Sequence, residues 1–302
     1  MAQVGIMIEG QEGLSWDRWR KICEDTDRLG FASLRRSDHF VSLNGHPDQD
    51  CIECWISLAL AAEWTKNIEI GPMVSPMTFH QAAVLARQAA SVDVLSKGRL
   101  ILGVGAGWNE REHEMFGVPF LTVGERMDLL EQGVARIRDT WAKSNPKPAQ
   151  NPIPLLMGGV GEKRALPLAA READEWNYTR MDHEEYRHKR DVINRACKQI
   201  GRDPATIRYS VMVSYIVGRD KAELRERALN LAKVVPRLKR DSPDETLAAA
   251  KQSMFVGTPD EVVEQIKRYA KLGVELFMLQ HSLLDDSDAL KLLASDVMPA
   301  IA

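Results

Sequence analysis

No stretch of this 302-residue chain approaches the roughly 18 consecutive apolar residues of a membrane span, and its first residues lack the cationic-then-apolar pattern of a signal peptide. No membrane partner is expected, and a cytoplasmic protein is the default reading. Charge of one sign is missing as well, since 40 basic residues oppose 43 acidic ones and leave a formal net charge of −3 at pH 7. Without a cationic excess there is no field to hold nucleic acid or an anionic surface, which leaves a small molecule as the expected partner. Cysteine is scarce: Cys23, Cys51, Cys54 and Cys197 are too few for a disulfide scaffold in a chain long enough to bury a large core. Cys51 and Cys54 have C-x-x-C spacing, but no second pair completes a zinc ribbon. No H-x-H, H-E-x-x-H or carboxylate cluster suggests a metal either. The pair reads as two small residues in the first turn of a helix. The remaining composition, 44% hydrophobic and 27% charged with 20 Gly and 14 Pro, excludes disorder, collagen and low complexity.

What the chain does contain is an alternation of short β-rich runs with longer segments of helical period, the pattern of βα units on a parallel sheet. Strands are expected at 4–8, 31–36, 68–74, 99–104, 153–157, 175–178, 207–217 and 276–279. Helices are expected at 15–29, 52–64, 81–95, 125–141, 162–173, 183–200, from 221 into the 233 region, at 259–272 and from 286 onward. Ser15 suits the N-cap of the first helix and Gly30 its stop. Eight such units match an α/β (β/α)8 TIM barrel better than a doubly wound sheet, and one domain over 1–302 is expected. Two stretches exceed a simple unit, 106–123 after strand four and the region after strand seven with its polar insertion at 237–248; long segments of this kind tend to be functional or disordered. The sign-alternating runs 180–190 and 237–245 read as solvated helix faces. The 12 methionines read as core filler.

A barrel builds its site at the C-terminal ends of its strands. Those positions hold Glu9, then Ser37 to Phe40, Val74 to Pro76, the run 105–110, Gly158 to Gly161, Asn177, Ser214 with Tyr215, and Gln280 with His281. Asp38-His39 is the sharpest pair: an imidazole donates to a ring nitrogen or carbonyl, or shuttles a proton near neutral pH, while the adjacent carboxylate sets its tautomer or charge. The competing reading is a structural cap. Gly158, Gly159, Val160 and Gly161, followed by Glu162, Lys163 and Arg164, lie between an apolar strand and a helix. Glycine N–H groups and a helix N-terminus suit a phosphate there, with Lys163 and Arg164 adding charge, and an ordinary glycine-rich turn is the alternative. The run Gly103 to Gly107 has Trp108 where a dinucleotide fingerprint needs its third glycine, and no helix opens there. Its glycines more plainly let a flat ring lie against the strand end. Glu9 alone is a carboxylate that is solvated or caps the next helix.

Taken together, these motifs resemble the bacterial luciferase-like superfamily of (β/α)8 flavin and deazaflavin oxidoreductases, in particular its coenzyme F420-dependent branch. The resemblance covers nearly the whole chain. It is carried by Gly30-Phe-Ala-Ser-Leu-Arg-Arg-Ser-Asp-His-Phe40, Asp93-Val-Leu-Ser-Lys-Gly-Arg99 and the block from Leu102 to Phe120 with its Gly-Trp-Asn-Glu core. Met157 to Gly161, Ala173 to Asn177 and Val256 to Glu261 support it. The resemblance implies that Asp38 and His39 face the deazaflavin ring, with His39 the proton donor or acceptor. Met73, Val74 and Ser75 would form the bulge behind the ring that in relatives often carries a non-proline cis peptide. Gly105, Trp108 and Asn109 would line the ring or substrate side, Gly158, Gly159, Val160 and Gly161 would hold the phosphate shared by FMN and F420, and Asn177 would join the cofactor contacts. Glu9 lies where some relatives have an active-site acid, and relatives are often homodimers. Two features depart from the pattern: Arg35 stands where relatives usually have an aromatic residue, and the connector 141–152 is abbreviated. The implied activity is an F420-dependent oxidoreductase moving a hydride between coenzyme F420 and an unidentified small organic substrate. The alternatives are an FMN-dependent luciferase-like monooxygenase and a degenerate, non-catalytic flavin-binding barrel.

Overall fold

The computed structural model describes residues 2–44, 46, 49–179 and 181–301. Arg180, which opens one of the charged runs, lies outside the described residues. Ten strand segments build the sheet: β1 (Gln3–Ile8), β2 (Ser33–Arg36), β3 (Glu69–Pro72), β4 (Ser75–Pro76), β5 (Leu102–Gly105), β6 (Leu155–Met157), β7 (Glu175–Tyr178), β8 (Arg208–Val217), β9 (Met254–Gly257) and β10 (Leu276–Gln280). Their order is β3-β2-β1-β10-β8-β7-β6-β5-β4, with β9 paired to β8, and every ladder is parallel. Parallel neighbours need crossover connections, and helices supply them. The two ends of this path, β3 and β4, are one stretch of chain, and Ile70 also pairs with Leu100 just ahead of β5. The sheet therefore closes through residues 69–76, and the fold is the (β/α)8 TIM barrel expected from the alternation of strands and helices.

The local chemistry is as the sequence suggests at the first helix, Trp16–Arg28, where the Ser15 side chain accepts from the Arg18 N–H and Trp19, Ile22 and Cys23 are buried. Elsewhere the backbone differs from the expectation. The expected strand at 68–74 is broken after Pro72, where the Met73–Val74 peptide bond is cis, and resumes as β4. The helix expected at 162–173 begins only at Ala165, after a turn over 162–164. The region after strand seven holds more order than a polar insertion: a helix over Pro243–Ala250 and strand β9 follow the helix Lys221–Val234. They share a small core of Ile216, Leu231, Val235, Leu247, Met254 and Val256. Cys51 lies just ahead of the helix Cys54–Trp64, and its Sγ donates to the His39 carbonyl at 3.2 Å.

Three levels of side chains fill the barrel. At the strand starts, Glu69, Glu175 and Arg208 meet Arg35, which is wholly buried. Arg35 donates from both terminal nitrogens to Glu175, each at 2.8 Å, and Arg208 bridges Glu175 and Glu69 at 2.5–2.9 Å. Arg35, the position at which the resemblance leads one to expect an aromatic ring, is thus the centre of a charged plug. Mid-strand positions such as Leu156, Met212 and Met278 join Met7 and Met73 in an apolar cluster above it. The strand ends then open as the mouth.

Close approach of strands, rather than room for a ring, explains the glycines of β5. A Cβ on Gly103 would stand 2.2 Å from the Pro72 oxygen and 3.0 Å from Val74 Cγ1, and one on Gly105 would stand 2.6 Å from Val74 Cγ2. Gly103→Ala must therefore push β5 away from β3, an overpacking cost of about 1–3 kcal/mol. The expected result is a lower denaturation midpoint in urea at unchanged m-value; a midpoint equal to the wild type would show that the strands part freely.

Candidate functional site

His39 and Asp38 follow β2 directly, so their backbone is set by the strand while their side chains diverge. The His39 ring is 18% exposed and its Nδ1 donates to Glu112 Oε2 at 2.8 Å, with Oε1 at 3.0 Å. Asp38 turns away from it: Oδ2 accepts from Ser75 Oγ at 2.5 Å and from His80 Nε2 at 2.7 Å, and Ser75 in turn accepts from Trp55 Nε1 at 3.1 Å. The carboxylate that orients His39 is thus Glu112, from the helix Glu110–Met115, and not its neighbour Asp38. Neither Glu112 nor His80 was singled out from the sequence. Glu112 is one of three glutamates at alternate positions, 110, 112 and 114, and only burial distinguishes it. His80 sits 42 residues from Asp38, and its one available signal was its place after the third strand.

Charge follows from these partners. Burial opposes a charged His39, but the bond to Glu112 and the charges of Glu112, Glu9 and Asp38 outweigh it and hold the imidazole above its ordinary range. Burial likewise opposes an ionised Asp38, yet His80, Ser75 and the charge of Arg36 hold its carboxyl below the usual carboxylate range. Its other oxygen, Oδ1, is buried without a hydrogen-bond partner.

Glu9, just past β1, faces the same mouth. Its carboxylate accepts from Gln280 Nε2 and, at 2.7 Å, from Gln11 Nε2. Gln280 accepts from Ser214, and Gln11 accepts from Ser37 Oγ at 2.5 Å, so a polar rail crosses the strand ends of β8, β10, β1 and β2. A cavity of about 230 Å³ lies along it, lined by Glu9, Gln11, Ser214, Met254, Gln280 and His281. His281 is fully buried and bonded through Nδ1 to the Tyr215 hydroxyl at 2.6 Å; burial pushes its pKa down to about 4, so it is neutral at physiological pH.

The other residues singled out from the sequence fall into three places. Met73 belongs to the barrel interior, Val74 packs on Gly103 and Gly105, and Ser75 serves Asp38. Trp108 is 63% exposed and sets its ring edge-on to His39, centroids 5.6 Å apart, with Asn109 beside it just ahead of the helix Glu110–Met115, its side chain making no capping bond. Asn177 points inward, donating to Ser210 Oγ at 2.8 Å next to Glu175, and so lies with the charged plug. The loop Gly158, Gly159, Val160, Gly161 opens to solvent ahead of the helix Ala165–Glu172. Trp176 Nε1 anchors it by donating to the Gly159 oxygen at 3.0 Å, and Gly159 takes φ +93°, a conformation that favours glycine. A Cβ on Gly158 would meet nothing nearer than 3.8 Å, so the loop is an open cradle. Arg164 does not serve it, because its guanidinium is held by Asp128 and Glu131; Lys163 is exposed. Among the described residues no group of three His, Cys, Asp or Glu side chains is placed to hold a metal ion. No described helix is long and apolar enough to cross a membrane.

Comparison with known proteins adds the following. A family model described as Luciferase-like monooxygenase matches residues 2–276. The chain is 26% identical over 311 residues, 91% of either chain, to an F420-dependent glucose-6-phosphate dehydrogenase of Amycolatopsis mediterranei. It is 26% identical over 192 residues, 58% of this chain and 52% of the other, to an FMNH(2)-dependent dimethylsulfone monooxygenase of Pseudomonas putida. It spans about half the length of curated mycobacterial relatives to which it is 32% identical over 147 residues. Among solved structures, an F420-dependent secondary alcohol dehydrogenase superposes with a TM-score of 0.83 at 21% identity, over 100% of this chain and 99% of that one, a likeness of fold.

Proposed function

The chain belongs to the luciferase-like monooxygenase family, and from that premise we propose that it is an oxidoreductase exchanging a hydride between coenzyme F420 and a small organic substrate. The observation that carries this reading is the part-exposed His39 imidazole at the strand ends, bonded to Glu112 and held above its ordinary titration range by Glu112, Glu9 and Asp38. Hydride chemistry on a carbonyl, alcohol or imine needs one group able to give or take a proton at the same place, and His39 is that group.

The residues suit such a cofactor at both of its ends. Bound there, the deazaflavin supplies a ring carbon that accepts or returns a hydride. Gly158, Gly159, Val160 and Gly161 would take its phosphate, with Lys163 near the loop. The unpartnered Oδ1 of Asp38 is an acceptor that a ring N–H would satisfy. Val74 and Ser75 would back the ring, and Gly105, Trp108 and Asn109 would close one side of it. Met73 would support it from below, while Asn177, bonded to Ser210 beside the plug, lies too deep to join the cofactor contacts. Glu9, held by two amide donors, would fix substrate from the far side of the mouth. FMN as the cofactor of a monooxygenase is the second reading, favoured by the relative that uses reduced FMN.

Titrating apo protein in parallel with oxidised F420 and with FMN, followed by fluorescence, separates the two. Micromolar or tighter binding of F420, with FMN at least about tenfold weaker, is the expected result. The reverse preference moves the protein to flavin chemistry, and binding of neither sinks both readings.

A further inference from the structure

We propose that Glu112 is the positioning residue of the proton-transfer group: it fixes which nitrogen of His39 faces the mouth and thereby makes the helix Glu110–Met115 part of the site. The inference rests on His39 being the group that moves the proton. An ionised carboxylate only accepts hydrogen bonds, so a ring nitrogen 2.8 Å from Glu112 Oε2 must carry its hydrogen. That assignment leaves Nε2 as the nitrogen free for the mouth.

Glu112 is itself 1% exposed, and a carboxylate so deep persists as an anion only when its lone pairs are matched. Besides the imidazole, the Phe40 N–H donates to Oε1 at 2.8 Å and the Val41 N–H at 3.4 Å. The same carboxylate therefore grips the ring and the backbone that carries it. The helix after β5 and the loop after β2, belonging to different βα units, are joined through this side chain by hydrogen bonds and beside it by the ring contacts His39–Trp108 and Phe40–Phe116.

The surroundings make Glu112 the decisive member. The ionisable groups facing His39 are Glu112 from its helix, Glu9 beyond β1 and Asp38 alongside it in the chain; Cys51 donates to its carbonyl and Trp108 meets its ring edge-on. All three carboxylates favour the protonated ring, but only Glu112 is bonded to it. When Nε2–H passes its proton to a substrate oxygen or nitrogen, the ring is left neutral as the Nδ1–H tautomer with its bond to Glu112 unbroken. A proton from solvent at Nε2 restores the starting state, so no reorientation of the ring is needed between turnovers.

Two-dimensional 1H–15N NMR of the imidazoles in apo protein tests this without any cofactor, so it decides the role of Glu112 even where the F420 reading fails. The His39 signals are assigned by their loss in His39→Asn. In the wild type above its pKa, the ring is expected as the Nδ1–H tautomer; finding Nε2–H, the form commoner in free histidine, overturns the proposal. Glu112→Gln keeps the shape and an oxygen for the Phe40 N–H but removes the charge. Its His39 is expected to titrate at lower pH than the wild type, with Glu112→Asp moving it back. An unchanged titration in the glutamine variant overturns the proposal as well. In turnover, Glu112→Gln is expected to lower kcat by about tenfold or more while KM stays within about twofold.

Discussion

His39→Ala is expected to reduce turnover by roughly 10² or more while leaving cofactor affinity within about tenfold, the scale on which a lost general acid–base group acts. The geometry gives the reason that no neighbour substitutes. Asp38 is committed to His80 and Ser75, Glu9 is held between Gln280 and Gln11, and His281 is buried, neutral and bonded to Tyr215. The loop keeps its Phe40 and Val41 bonds to Glu112 and the Cys51 bond to the carbonyl of residue 39, none of which uses the imidazole, so the structural cost of the substitution falls on Glu112, which loses one of its donors. The checks are the rate of cofactor reoxidation at saturating substrate and the dissociation constant by fluorescence. Unchanged turnover in a folded, cofactor-binding variant would remove His39 from the chemistry.

The second large effect lies at the other end of the barrel. Glu175→Ala leaves the guanidinium of Arg35, fully buried, with Glu69 at 3.4 Å as its one remaining carboxylate. Breaking a buried pair from one side costs about 3–5 kcal/mol, because the orphaned charge keeps its desolvation penalty. For a chain of this length that corresponds to a fall in Tm on the order of 10 °C. Acid reports on the same network. Burial works to raise the Glu175 carboxyl, but Arg35 and Arg208 overcome it and hold it down to about 2, against an ordinary 4.5. A depressed carboxyl stabilises the fold above its unfolded value and loses that contribution as protons bind. Stability is therefore expected to drop as pH falls from about 4.5 to about 2. A melting curve for Glu175→Ala that matches the wild type would mean the plug carries little of the stability.

The barrel was legible because its strands are short apolar runs separated by helical periodicity, as at 4–8 and 15–29, and because parallel strands buried on both faces carry no polar alternation to mislead. The break at Met73–Val74 followed only from the resemblance, since nothing in the side chains of Gly71, Pro72 and Met73 announces where the backbone turns. Strand β9 was missed because four residues, Met254–Gly257, offer too little pattern after a polar stretch. In the site, residue types at strand ends were readable, but their pairing was not. Asp38 and His39 adjoin in sequence, yet consecutive residues of an extended chain point to opposite sides. Their partners come from 42 and 73 residues away. Gly103 and Gly105 were visible as glycines, while the reason for them, the Pro72 carbonyl and the Val74 methyls, exists only once β5 meets β3.

The three levels inside the barrel also bear on how this protein can change. Electrostatic influence weakens with distance, and the sulfur-rich middle of Met7, Met73, Met212 and Met278 keeps the Arg35–Glu175 network apart from the groups that line the mouth. The charges that hold the strand starts and the polar groups of the mouth are thus set apart along a single axis. An exchange at Leu43, which also lines the cavity at the mouth, would reshape that cavity without drawing on the charges that keep the lower half assembled, whereas an altered plug leaves the mouth intact only while the chain still folds.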